Sequence, residues 1–230
     1  NVRHKHHARS RLVPHVHLLE LLPSNRQLIR WLVNRTDIAS FAHVHDLAAS
    51  NESSRAFSAP DASKYAGIEA LALSVPWNLK EKKRSFRTGN TIETTTIDDF
   101  MARERLSEAW LVQIDTEGWD ALVLEGMRKS LAAKRIAFVE FEYSGRNFWS
   151  PASGADRRTL EQTQRWLGEL GYTCFLQTAS DLAPISGQCW RADFERRRWS
   201  NVLCAGREAD LALLYNMSAE GAARRGGGSD

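Results

Sequence analysis

Four acids stand where apolar runs of this chain end: Glu20, Asp46, Asp115 and Glu142. In an open parallel sheet, ligands bind beyond the carboxyl ends of the strands. A carboxylate there accepts two hydrogen bonds, which suits a ribose diol or an amino group. It can equally cap the following helix, and for each acid taken alone that role stands beside the first. The sharpest turn is Asp115-Thr116-Glu117-Gly118. Gly118 permits a tight strand-to-helix turn or the close approach of a ligand. Asp115 and Glu117 together suit a metal or amine cation, or general-base work; a capped helix start with one solvated acid is the plainer alternative.

A second constellation is imidazole. All seven histidines precede position 46, and His15/His17 and His43/His45 form two His-x-His pairs. Alternate residues of a strand share a face, so with Asp46 nearby these pairs could hold zinc or another divalent ion and, at the extreme, make a metal-dependent hydrolase. Rim histidines on strands, plus a solvated His-rich arm, explain them without metal, and no ligand set is assigned. Cys174, Cys189 and Cys204 have neither Cys-x-x-Cys spacing nor a downstream histidine. They read as structural or incidental thiols of a soluble, intracellular, reducing setting. Eight tryptophans is a high count; Trp77, Trp149, Trp190 and Trp199 fall outside the strong helical patterns. Some could wall a substrate pocket, since aromatic faces suit flat apolar surfaces, or they serve in packing. No Gly-x-Ser-x-Gly elbow or P-loop occurs.

The elements that must position these groups alternate. Strand patterns cover His15–Leu22, Ile38–Ala48, Thr91–Ile97, Trp110–Ile114, Ile136–Tyr143, Tyr172–Leu176 and Asn201–Ala205, with weaker ones near Ala56–Ser58 and Ile68–Val75. Helical patterns cover Arg26–Asn34, Asp98–Glu108, Trp119–Leu131 and Leu160–Leu170, the last stopped by Gly171. Trp110–Ile114 has the uninterrupted apolar character of a buried parallel strand. Alternation of this kind predicts an α/β domain with a mostly parallel, doubly wound sheet; the region around Trp190–Cys204 reads as antiparallel. Residues 1–14 form a basic, His-rich arm, 15–215 the folded domain and 216–230 a flexible Gly/Arg tail.

Composition sets the outer bounds. The 230 residues are 43% hydrophobic and 26% charged, the balance of an ordinary globular protein. Thirty-one basic against 28 acidic side chains leave +3, too little to argue for nucleic acid. No apolar run reaches the ~18–20 residues of a membrane helix. Oligomeric state is not encoded in any pattern found.

Leu111-Val112-Gln113-Ile114-Asp115-Thr116-Glu117-Gly118-Trp119-Asp120, followed by Leu122-Val123-Leu124-Glu125-Gly126-Met127, resembles the signature of the FkbM-type methyltransferases. Thr94–Phe100 resembles that family's Thr-Thr-Leu-Asp-Asp segment, Ile136–Glu142 its strand ending in Val-Glu, and Glu20-Leu21-Leu22-Pro23 its Phe-Glu-Pro element. The resemblance implies a Rossmann-like class I fold that uses S-adenosyl-L-methionine to methylate oxygen on a sugar, natural product or other small hydroxyl acceptor. It implies Glu20 at the cofactor ribose, Asp46 near adenine, and Asp115 and Gly118 at the methionine end. Asp115 and Glu117 would orient the acceptor or take its proton, with Glu142 and Trp149 on the substrate side. Position 120 is Asp where the family usually has Glu. No glycine precedes Gly67, so the family's first strand and Gly-rich loop are missing from this chain. Their loss would leave neighbouring strand edges unpaired. It also keeps open a non-catalytic binding or scaffold domain derived from such an enzyme.

Overall fold

The computed structural model describes residues 14–58, 91–116, 119–143, 159–179, 181–195 and 200–226. The basic arm up to residue 13, the strand pattern at Ile68–Val75, Glu117, Gly118, Trp77, Trp149 and Trp199 lie outside them. The first half contains β1 (Val16–Leu19), α1 (Pro23–Val33), β2 (Ala42–His45), β3 (Leu47–Ala49), β4 (Ala56–Ser58), β5 (Thr91–Thr95) and α2 (Ile97–Arg103). The second contains β6 (Ala109–Ile114), α3 (Asp120–Glu125), α4 (Arg128–Ala132), β7 (Ile136–Tyr143), α5 (Leu160–Glu169), β8 (Thr173–Gln177), β9 (Leu182–Pro184), β10 (Ser200–Ala205) and α6 (Glu208–Gly226).

Three sheets result: β1-β2, β3-β5-β4 and β6-β7-β10-β8-β9. The pairs β1-β2, β3-β5 and β6-β7 are parallel, whereas β10 runs antiparallel to both β7 and β8, as does β9 to β8 and β4 to β5. Among the described residues the sheet is therefore mixed, not mostly parallel. The cause is local. A short turn returns β9 beside β8, and the described part of 185–195 holds only 3-10 turns, so no helical crossover brings β10 in parallel.

The core lies between this sheet and α3, α4 and α5. Leu124, Met127, Leu131, Val139, Phe141 and Leu167 are completely buried in it. Thr159 starts α5 through a reciprocal capping box with Gln162, and Gly171, at φ +74°, follows its end. The helix pattern at Trp119–Leu131 is broken in two at Gly126-Met127. A Cβ on Gly126 would lie 2.1 Å from the Ser50 carbonyl oxygen, so only glycine lets the β3 loop approach there. Asp98 then caps α4, accepting from the backbone N–H of Lys129 at 2.9 Å and of Ser130 at 2.8 Å.

Further differences from the sequence reading have plain causes. The strand pattern at Ile38–Ala48 divides into a 3-10 turn, β2 and β3, interrupted at Asp46. The Asp98–Glu108 pattern ends early, at Arg103, and Arg105 takes a left-handed conformation (φ 57°). Helix α6 continues to Gly226, into the segment read as a flexible tail. Its Ala- and Leu-rich sequence favours helix, and Leu214 is buried beside Phe138 and Phe175. Cys174 and Cys204, read as incidental thiols, stand directly opposite on β8 and β10 and form a disulfide; Cys189 is free and exposed.

Strand β6 was read as buried. It is instead an edge: Trp110 is 67% and Leu111 38% exposed, and β7 is its only partner among the described residues.

Candidate functional site

Each of two parallel strand pairs delivers two acids to one rim. In the first, Leu19 is in register with His45, so the next residues, Glu20 and Asp46, leave the strands side by side; the Glu20 N–H still donates to the His45 carbonyl at 3.3 Å. In the second, Ile114 is in register with Phe141, which sets Asp115 beside Glu142. Buried apolar residues such as Ala42, Ile114 and Phe141 fix the register, while the polar residue that ends each run emerges at the carboxyl end.

The acids differ in what already holds them. Glu20 turns back onto its own chain: Oε1 accepts from the Leu22 N–H at 2.7 Å and Oε2 from Asn25 Nδ2 at 3.3 Å. These bonds tie Glu20 to the chain just before α1 and to its first turn, without capping the helix. Asp46, half exposed, forms ion pairs with Arg26, 3.3 Å from its Nε, and with Arg30 one helical turn further on. Asp115 is exposed and makes no hydrogen bond or ion pair with the described residues. Glu142 is half-buried, opposite Asn201 of β10.

What fixes the second rim is Asp120, which the sequence reading noted only as a shortened family residue. It is the first residue of α3, completely buried, and its two oxygens face opposite ways. Oδ2 accepts from the Thr116 hydroxyl at 2.8 Å and the Thr116 N–H at 3.3 Å, while Oδ1 accepts from the Glu142 N–H at 3.2 Å. One carboxylate thus ties the turn after β6 to the end of β7 and holds Asp115 and Glu142 at one edge. Burial raises its pKa above the ordinary range, opposed by the bonds from Thr116 and Glu142. A lone acid amid the apolar face of α3 was the available signal for it.

The other motif segments are structural in the same sense. Thr96 caps α2 by accepting from the Asp99 N–H at 3.0 Å, Asp98 caps α4, and Gly126 admits Ser50. A model of the FkbM methyltransferase domain matches residues 2–174. The chain belongs to the FkbM methyltransferase family. No curated protein matches this FkbM-family chain. Among solved structures it is similar to the crystal structure of methyltransferase FkbM from Methylobacillus flagellatus KT, at 14% identity and a TM-score of 0.46. That similarity covers 83% of this chain and 36% of the other, so the FkbM-family chain spans little more than a third of that relative. No helix among the described residues is long and apolar enough to cross a membrane.

The histidines converge as well. His15, just before β1, and His17 on β1 interleave with His43 and His45 on β2 as a stack, with ring centroids 4.9–5.6 Å apart. Phe100 of α2 meets His17 and His45 edge-on. Asp46, the acid considered beside them from sequence, is engaged by arginines; the carboxylate nearest the stack is Glu104.

Proposed function

We propose that this chain carries the S-adenosyl-L-methionine site of an O-methyltransferase acting on a small hydroxyl acceptor, in a Rossmann-like arrangement. The observation that supports it most is the pairing of acids at the carboxyl ends of two parallel strand pairs, Glu20 with Asp46 and Asp115 with Glu142, in the order the family places them. The residues present fit the cofactor in part. Glu20 accepts one hydrogen bond at each oxygen, and a carboxylate has about four acceptor positions, so a ribose diol can still be bound there. Asp46, Asp115 and Gly118 complete the cofactor contacts in this reading. The cofactor, when bound, supplies a methyl group on a positively charged sulfur, a leaving group that departs neutral.

The chain's own residues orient and deprotonate. Asp115, exposed on the rim, accepts a hydrogen bond from the acceptor hydroxyl and takes its proton, with Glu117 as the neighbouring carboxylate in that role. Glu142 and Trp149 hold the acceptor. Asp120 acts through them by fixing the spacing of Asp115 and Glu142, and much of the rate comes from such positioning.

The second reading, a binding or scaffold domain without catalysis, is supported by the engagement of Glu20 with Leu22 and Asn25 and of Asp46 with Arg26 and Arg30. Calorimetric titration with S-adenosylhomocysteine separates the two. The methyltransferase reading expects saturable binding that weakens about tenfold in Glu20→Gln, the loss of one charge-assisted hydrogen bond. Asp115→Ala should lose methyl transfer. Absence of binding would leave the scaffold reading in place.

A further inference from the structure

The histidine stack belongs to neither role. One nitrogen of His17, one of His45 and a carboxylate oxygen of Glu104 lie within 4.8 Å of one another. The three come from different elements: β1, β2 and the residue that ends α2. His17 Nδ1 and His45 Nε2 are 3.0 Å apart, and the other ring nitrogen of His45, Nδ1, is 4.0 Å from Glu104 Oε1. Ligands at ~2.0–2.2 Å from a tetrahedral zinc ion stand about 3.3–3.6 Å from each other, so the set, now within 4.8 Å, closes when one nitrogen of each ring and the Glu104 oxygen turn toward a common point.

We infer that His17, His45 and Glu104 form a binding site for a first-row divalent cation of the zinc class, clasping the β1-β2 pair to the end of α2. Three protein ligands leave a fourth position to water. Two imidazoles and one carboxylate are donors that zinc, cobalt and nickel accept, whereas calcium and magnesium prefer all-oxygen sets. His17 Nε2 is buried and has no hydrogen-bond partner among the described residues, a cost that a cation held at that nitrogen relieves. Glu104 is held at 3.1 Å by Arg103 Nε, an exposed pair that the cation must compete with.

The test titrates chelator-treated protein with Zn²⁺ by calorimetry and with Co²⁺ by visible absorption. One equivalent should bind, with the intense bands of a four-coordinate Co²⁺ site and a rise in melting temperature. Glu104→Gln and His45→Asn should each weaken Zn²⁺ binding at least about tenfold. The His4→Ala/His6→Ala/His7→Ala triple variant should bind as the parent does, because those histidines lie in the basic arm. Loss of Zn²⁺ binding in the triple variant, unchanged binding in Glu104→Gln and His45→Asn, or no binding by the parent chain would each overturn the site. Should His45→Asn fail to fold, Glu104→Gln, which keeps shape and removes only the charge, decides the matter.

Discussion

Replacing Asp120 by Asn alters one oxygen and leaves the shape intact. In the native chain three donors converge on this carboxylate: the Thr116 hydroxyl, the Thr116 N–H and the Glu142 N–H. The amide of Asn can keep the Oδ1 contact to Glu142, but its NH2 then meets the Thr116 N–H, donor against donor. Hydrogen bonds to a charged group contribute about 1.5–3 kcal/mol and neutral ones about 0.5–1.5, while a buried donor left unmade costs about 1–3. Relief of a buried charge offsets part of this. The net expectation is a loss of about 2 kcal/mol, or about 4–8 °C in melting temperature for a chain of this size. The pH dependence carries its own sign. Because burial raises the folded pKa of Asp120 above the ordinary 3.8, the folded state holds the proton more tightly than the unfolded one. That contribution is fully present below the unfolded pKa and is lost as pH rises through the folded one. Thermal unfolding of parent and Asp120→Asn side by side, from about pH 4 to pH 7, should therefore show the parent's advantage shrinking as pH rises. An advantage that grows with pH would mean that the anion is the favoured form, and would refute the account of Asp120 given above.

Two other perturbations test the packing. Reduction of Cys174–Cys204, which closes a separation of 30 residues, should cost about 3–4 kcal/mol on a chain-entropy estimate. A reductant should lower the parent's melting temperature and leave Cys174→Ala/Cys204→Ala unmoved; an unmoved parent would show that the bridge contributes nothing. Gly126→Ala should destabilise by about 1–3 kcal/mol because its methyl would meet the Ser50 carbonyl. Gly168→Ala in α5 meets nothing within 4 Å and should stabilise by up to about 1 kcal/mol; equal effects at the two glycines in urea unfolding would remove the close-approach argument.

Most elements were legible because their patterns are local. Ile136–Tyr143 is one strand with the bounds its apolar run gives, and α5 ends where Gly171 stops it. The paired acids were legible for the same reason: a carboxylate that follows a buried run must emerge at the strand's end. What the sequence hid is set by distant partners. Nothing in Trp110–Ile114 says that one of its sides is open, since an edge is defined by the strand that is not there. The antiparallel entry of β10 agrees with the reading of Trp190–Cys204, but the pairing of Cys174 with Cys204 depends on the register of β10 against β8, which no local pattern carries. Asp120 was passed over because its partners, Thr116 and the Glu142 N–H, meet only after β6 and β7 align. Glu104 was not associated with the histidines, because Phe100 and the end of α2 reach the stack only in three dimensions.

The open side of β6 has a kinetic consequence. Among the described residues β6 has a partner on one side only, and the other side, beside the exposed Trp110, is a template that does not distinguish a strand of its own molecule from one belonging to another. Filling by the same molecule is first order and indifferent to dilution; filling by a neighbour is second order. The solubility of this chain should then depend on the race between the two, with dilution favouring the folded monomer and crowding favouring edge-to-edge association.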